Sequence, residues 1–200
     1  MENKILILAT GNLAKIRELQ ALLEEVGWLV KSQKEMLGDI EVEENGITLE
    51  QNAEIKARFV WEQTGQPSLA DDTGLEVDAL DGRPGVRSAR FAGLGADDRM
   101  NRRKLLQELK YITDPAKRTA RFRTVLVYLT ENGMHRYEGI CEGRILHEER
   151  GTGGFGYDPV FIPRGFQQSF AEMEPSKKNS ISHRGKALRK WLADIGRSDT

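Results

Sequence analysis

Lys4-Ile5-Leu6-Ile7-Leu8-Ala9, broken by Thr10-Gly11-Asn12 and followed by a helical pattern from Leu13, is the stretch that decides the fold. The first run is short, continuous and apolar, as in a strand buried on both faces. From Leu13 the period changes: Leu13, Ile16, Leu19/Gln20, Leu23 and Val26 share one face of a helix, and Gly27 suits its C-cap. Trp28-Leu29-Val30 reads as a second strand. A strand-loop-helix-strand unit implies a mixed or parallel sheet.

Outward from this unit, residues 34–47 read as acidic and irregular, with Glu41, Glu43, Glu44, Asn45 and Gly46. Thr48 with Gln51 forms a capping box for a helix with Ala53, Ala57, Val60 and Trp61 inward, ended by Gly65-Gln66-Pro67. Leu69-Ala70 is a short strand, Asp71-Asp72-Thr73-Gly74 a turn, and Leu75–Val77 extended again. Asp81-Gly82-Arg83-Pro84-Gly85 is a strong turn signal. Asp97 caps a helix running through Leu109, with Met100, Leu105, Leu106 and Leu109 on or near its apolar face. Phe122–Thr130 is strongly β, and Asn132-Gly133 turns it back on Met134–Ile145 as a hairpin. Val160–Ile162 is a strand. Ser182 caps a last helix from near His183 to Ile195, faced by Leu188, Trp191/Leu192 and Ile195. The expected fold is therefore α/β: a long curved mixed sheet with flanking helices, one domain over residues 1–200 with two lobes around a central cleft.

Composition narrows the function. Thirty Lys+Arg against 31 Asp+Glu leave a formal net charge of -1, without the basic excess that drives nucleic-acid binding. Cys141 is the sole cysteine, so no intramolecular disulfide and no Cys-based zinc site can form, and His135, His147 and His183 lack zinc-ligand spacing. The longest apolar run, Ile5–Ala9, is too short for a membrane span, and no signal-peptide pattern opens the chain. A cytoplasmic setting is expected.

Five constellations can carry chemistry. Thr10, Gly11, Asn12 and Lys15 join a buried strand to a helix N-terminus, where free N–H groups and the helix dipole favour phosphate; an ordinary turn capped by Asn12 explains the same residues. Asp71-Asp72 suits Mg²⁺, which takes few carboxylates and keeps waters and phosphate oxygens, or is simply a polar turn. Glu41, Glu43 and Glu44 form a solvated loop or supply a second metal ligand. Gly153-Gly154-Phe155-Gly156-Tyr157-Asp158 leaves a ring face open for a purine, or buries Phe155 in the core. Lys178-Asn-Ser-Ile-Ser182-His183-Arg184 stands at the last helix start, with His183 and Arg184 as donors for a base carbonyl or as two exposed polar residues on a capped helix start. Lys56 reads as a solvated helix position. Together these are the needs of a nucleotide hydrolase.

In order along the chain, Thr10-Gly-Asn-x-x-Lys15, Asn52-Ala-x-x-Lys56-Ala, Ala70-Asp-Asp-Thr-Gly-Leu75, Pro84-Gly-Val-x-Ser-Ala-Arg90, Gly151-Thr-Gly-Gly-Phe-Gly-Tyr-Asp-Pro159 and Ser182-His-Arg184 resemble the inosine triphosphate pyrophosphatase family, whose members act on non-canonical purine triphosphates. The resemblance runs from Ile5 to about Leu192. It implies hydrolysis of ITP, dITP and XTP to monophosphate and pyrophosphate with Mg²⁺, in a house-cleaning role, by a homodimer. It implies that Thr10, Gly11, Asn12 and Lys15 hold the triphosphate and that Lys56 contacts phosphate. Asp72 is implied as metal ligand and general base, and Glu44 as second metal-site acid. Thr73, Phe155, Gly156, Tyr157 and Asp158 are implied around the substrate, Phe155 stacking on the base, with Lys178, His183 and Arg184 at the purine edge. Gln51 stands where the family usually has Glu. A nucleotide-binding regulator without turnover, or a pyrophosphatase for modified pyrimidines, dUTP or dTTP like the septum-inhibitor relatives, are the rival readings; a nucleic-acid-binding module is disfavoured by the charge.

Overall fold

A computed structural model describes residues 5–23 and 28–198. The expected helix end at Val26 and Gly27 lies outside the described residues, as does Lys4 at the start of the first strand.

The opening unit is β1 (Ile5–Leu8), α1 (Leu13–Leu23) and β2 (Leu29–Ser32), with β1 and β2 paired in parallel from Ile5↔Leu29 to Leu8↔Ser32. Leu6, Ile7 and Leu8 are fully buried, as a continuous apolar strand requires. Ile16, Leu19 and Leu23 bury the helix stripe. Leu13 is instead two-thirds exposed, because it is the first helical residue and stands beyond the end of β1.

The region read as irregular contains a short helix, α2 (Gln33–Leu37). Its signal is a capping box: Ser32 Oγ accepts from the Glu35 N–H, and Glu35 accepts from the Ser32 N–H. Helix α3 (Leu49–Thr64) starts at Thr48, whose side chain accepts from the Gln51 N–H, and ends on left-handed Gly65. Gln51 reaches past the cap residue to the Ile47 N–H. Trp61 is only half-buried, and the buried stripe is instead Leu49, Asn52, Ala53, Lys56, Ala57 and Val60.

Strand β3 (Ser68–Val77) is continuous through Asp71-Asp72-Thr73-Gly74, so the expected turn is absent. Both carboxylates find cationic partners there, which lets Asp residues stay in a buried strand. Gly74 is required by contact: a Cβ would lie 2.7 Å from the carbonyl oxygen of Gly85, in β4 (Pro84–Gly85), which pairs antiparallel with β3. Asp97 caps α4 (Asp98–Glu108) through the Met100 N–H. Leu105 and Leu109 are buried, whereas Met100 is half-exposed in the first turn. Strands β5 (Thr119–Thr130) and β6 (Gly133–Ile145) form the expected hairpin, and β7 (Phe161–Pro163) pairs antiparallel with β6. Helix α5 (Pro175–Ile181), with Pro at its first position, precedes α6 (His183–Ser198). Among the described residues the mixed sheet runs β2-β1-β3-β5-β6-β7, with β4 attached to β3, and helices flank it.

The chain divides into two compact units, neither contiguous in sequence. The first comprises residues 1–72, 125–138 and 187–200; its core joins Leu6, Leu8, Leu19, Leu23, Leu69, Leu126, Leu188 and Trp191. Fully buried Trp191 packs against the rings of Trp28 and Tyr128. The second comprises residues 73–124 and 139–186, cored by Leu75, Leu105, Phe122, Phe161 and Phe170 among others. Inside it, buried Arg118 donates to the carbonyls of Leu109, Ile112, Ile145 and Leu146, satisfying acceptors at and just beyond the ends of α4 and β6 that a core would otherwise leave unbonded. No helix of the described residues is long and apolar enough to cross a membrane.

Candidate active site

In the first unit, the loop after β1 places Thr10, Gly11 and Asn12 ahead of α1. Asn12 Oδ1 accepts from the Ala14 and Lys15 N–H groups, and Thr10 Oγ1 accepts from the Asn12 N–H. The loop is thus a capped helix start, and a Cβ on Gly11 would meet no atom within 4 Å. Lys15, one turn into α1, forms an ion pair of 3.1 Å with fully buried Asp71.

Lys56 is the centre of this cluster. Far from being solvated, it is 5% exposed. Its Nζ donates to the Asp71 carbonyl at 2.8 Å and stands 3.2 Å from Glu44 and 3.7 Å from Asp72. Asn52, one turn earlier on the same face of α3, donates to Asp72 Oδ2 at 3.2 Å and accepts from the Gly46 N–H at 2.8 Å. Asn52 therefore ties the acidic loop, the helix and the strand together. The sequence assigns Asn52 no role, because the burial of its face of α3 shows only in the fold.

Burial raises the Asp72 carboxyl above its ordinary value; Lys56 and Lys15 pull it down, Glu44 pushes it up, and the Asn52 amide lowers it. A buried carboxylate that burial disfavours is a site that gains from a further cation. Glu44 and Asp72, both against Lys56 Nζ, offer hard oxygen donors of the kind Mg²⁺ takes when substrate phosphates and water complete its shell. The donor set fits that ion, although the described residues hold no group of three or more His, Cys, Asp or Glu arranged around a metal.

In the second unit, the glycine-rich block folds as a tight loop. Phe155 is half-buried, so it is not a core residue. Lys178 Nζ lies 4.9 Å from its ring centroid and the Arg184 guanidinium carbon 5.7 Å, both within cation–π range. Asp158 Oδ2 accepts from the Phe155 N–H at 2.9 Å and from Lys178 at 2.7 Å. Gly154 has φ +70°, and a Cβ there would sit 2.1 Å from that same Asp158 oxygen, so only glycine fits.

His183 and Arg184 are buried rather than exposed. The His183 ring stacks on Phe122, with centroids 4.6 Å apart and planes 16° apart. Arg184 Nη2 donates to Thr73 Oγ1 at 3.3 Å, and Thr73 Oγ1 lies 2.6 Å from Thr124 Oγ1. Ser182 Oγ accepts from the Gly185 N–H, capping α6. Tyr157 points into the core: it is 5% exposed, its hydroxyl donates to the Ser88 carbonyl, and burial raises its ionisation value. Gly156 is gripped from α4 by Asp98 and Arg102, two residues that the motif reading did not single out. Thus the first unit gathers Thr10, Asn12, Lys15, Glu44, Lys56 and Asp72, and the second gathers Thr73, Phe155, Asp158, Lys178, His183 and Arg184.

The model of the Ham1 family matches residues 6–194. A relative from Desulforamulus reducens named dITP/XTP pyrophosphatase is 52% identical over 193 residues, covering 96% of each chain. One of the same name from Vibrio parahaemolyticus is 47% identical over 195 residues, again covering 96% of each. Among solved structures, a HAM1 protein of Coxiella burnetii superposes with a TM-score of 0.86 at 40% identity, covering 96% of this chain and 98% of its own. The Staphylococcus aureus Ham1 protein superposes with a TM-score of 0.86 at 33% identity, covering 98% and 100%. The order of the six motifs, the mixed sheet and the whole-length match agree, and the chain belongs to the Ham1 family.

Proposed function

We propose that this chain hydrolyses ITP, dITP and XTP to the nucleoside monophosphate and pyrophosphate, removing deaminated purines from the nucleotide pool. The relatives named dITP/XTP pyrophosphatase support the reading. The observation that carries it is the group around Phe155: a half-buried ring with two cationic side chains, Lys178 and Arg184, over it, and His183 buried in the same unit. Phosphate handling alone would not select a purine; this group supplies a stacking surface and edge donors.

Thr10, Gly11, Asn12 and Lys15 take the triphosphate, with Lys15 and Lys56 placing positive charge against the departing pyrophosphate. Asp72 and Glu44 hold Mg²⁺, which when bound neutralises phosphate charge that would repel a nucleophile. Asp72 accepts the proton of the attacking water as its oxygen bonds to phosphorus at the α–β linkage and the bond to pyrophosphate breaks. Lys178, His183 and Arg184 donate to the O6 side of the base. Adenine presents an amino donor there, and a buried donor facing it loses its partner, a mismatch that can discriminate by roughly 10⁴. The working form is a cytoplasmic homodimer.

The test is product analysis of ITP hydrolysis with and without Mg²⁺. IMP and pyrophosphate in equal amounts, only with the metal, are expected. IDP and orthophosphate, or binding without turnover, would contradict the reading.

A further inference from the structure

Four hydrogen bonds define the backbone at Phe155. Its N–H donates to Asp158 Oδ2 at 2.9 Å, and its carbonyl accepts from the Asp158 N–H at 3.2 Å. The next N–H, that of Gly156, donates to Asp98 Oδ2 at 2.7 Å. The Gly156 carbonyl accepts from Arg102 Nη1 at 2.9 Å. The first two bonds run to Asp158, which is itself tied to Lys178 of α5. The last two reach the loop from α4, a regular helix of 11 residues whose own start is capped by Asp97.

Asp98 and Arg102 are four residues apart and therefore lie on one face of that helix, a turn from each other. One grips the N–H of the Gly156 residue and the other its C=O. Asp98 stands in the first turn of α4 and offers a carboxylate oxygen, a strong acceptor for a backbone N–H. Arg102 is itself steadied by an ion pair of 3.1 Å with Glu149. Gly156 has φ +60°, one of several conformations open to glycine at no steric cost, so its own backbone does not fix the loop. A loop of glycines around an aromatic ring is free to wander, so the ring's position has to be imposed from outside.

We propose that Asp98 and Arg102 are positioning residues for base recognition. They clamp Gly156 from α4 and so fix the Phe155 ring where a purine stacks. This rests on the reading of Phe155 given under the proposed function. Neither residue touches substrate in this account; each acts through the loop.

The test is a mutant cycle with ITP as substrate, reading KM and kcat separately. Phe155→Ala should raise KM by roughly tenfold or more, the size of a lost stacking contact. Asp98→Ala and Arg102→Ala should each raise KM about tenfold with kcat within about twofold, because ground-state and transition-state binding of the base are weakened alike. In the Phe155→Ala background the further effect of Asp98→Ala should nearly vanish, since the ring it positions is gone. Asp98→Asn, which keeps an acceptor oxygen, should recover most of the lost affinity. Should Asp98→Ala fail to fold, Arg102→Ala carries the same comparison.

An unchanged KM in Asp98→Ala and Arg102→Ala, with Phe155→Ala impaired, would overturn the clamp and leave the stacking reading standing. An equal effect of Asp98→Ala in both backgrounds would also overturn the clamp. An unchanged KM in Phe155→Ala would overturn the stacking reading, and the clamp with it.

Discussion

Lys178 Nζ lies 2.7 Å from Asp158 Oδ2, and both side chains are buried. The same Asp158 oxygen holds the Phe155 N–H, so one carboxylate serves the ion pair and the loop. Removing either partner leaves the other charge buried. Asp158→Ala or Lys178→Ala should each cost ~3–5 kcal/mol of unfolding free energy. Replacing both should cost clearly less than the sum of the two. Urea denaturation of the three variants checks this; additive losses would show that the pair does not act as a unit.

Asp72 bears the opposite relation between stability and function. Its folded carboxyl titrates above its ordinary value because burial disfavours the charge. The native state therefore keeps a proton that the unfolded chain has already released. Stability of the metal-free protein is then expected to fall as pH rises from the ordinary Asp value through the raised one, and to stay reduced above it. Asp72→Asn removes that slope, so the variant should gain on the wild type as pH rises toward neutral. Turnover should fall by at least about 10²-fold with the base removed. Denaturation in the presence of chelator, wild type against variant across the acid-to-neutral range, measures the first effect. Near-normal turnover would remove Asp72 from its role.

Cys141 packs in the second unit's core, and burial pushes its thiol up to about 11. At neutral pH it should resist a thiol reagent until the protein is unfolded, then react fully. Rapid labelling of the native protein would contradict this.

Arg184 is buried, anchored to Thr73 and placed over the Phe155 ring. Arg184→Ala should narrow the preference for ITP over ATP by at least about tenfold, with ITP losing more than ATP. An unchanged ratio of the two kcat/KM values would argue against edge reading by this residue.

Where local chemistry and tertiary demand coincide, the fold was legible. The apolar run of β1, the Thr48 cap of α3 and the Asn132-Gly133 hairpin each carry their own signal, and each formed as expected. The misses came where partners distant in sequence override composition. Asp71-Asp72-Thr73-Gly74 has turn composition, yet Lys15 and Lys56 supply the charge that keeps it in a strand. Lys56 looks like a surface lysine until Glu44, Asp71 and Asp72 surround it. Helix α5 is polar and short, so periodicity could not mark it; only Pro175 at its start hints at it. The candidate site was visible as ordered motifs. The residues that support those motifs, Asn52, Asp98, Arg102 and Thr124, make contacts that spacing does not encode.

The most direct measurement is initial-rate pyrophosphate release from ITP and XTP against ATP and GTP at matched concentration in Mg²⁺. The account predicts that the two deaminated purines are cleaved with kcat/KM at least about 10²-fold above ATP, whose 6-amino group faces the buried donors. Equal rates for all four, or a preference for ATP, would contradict it.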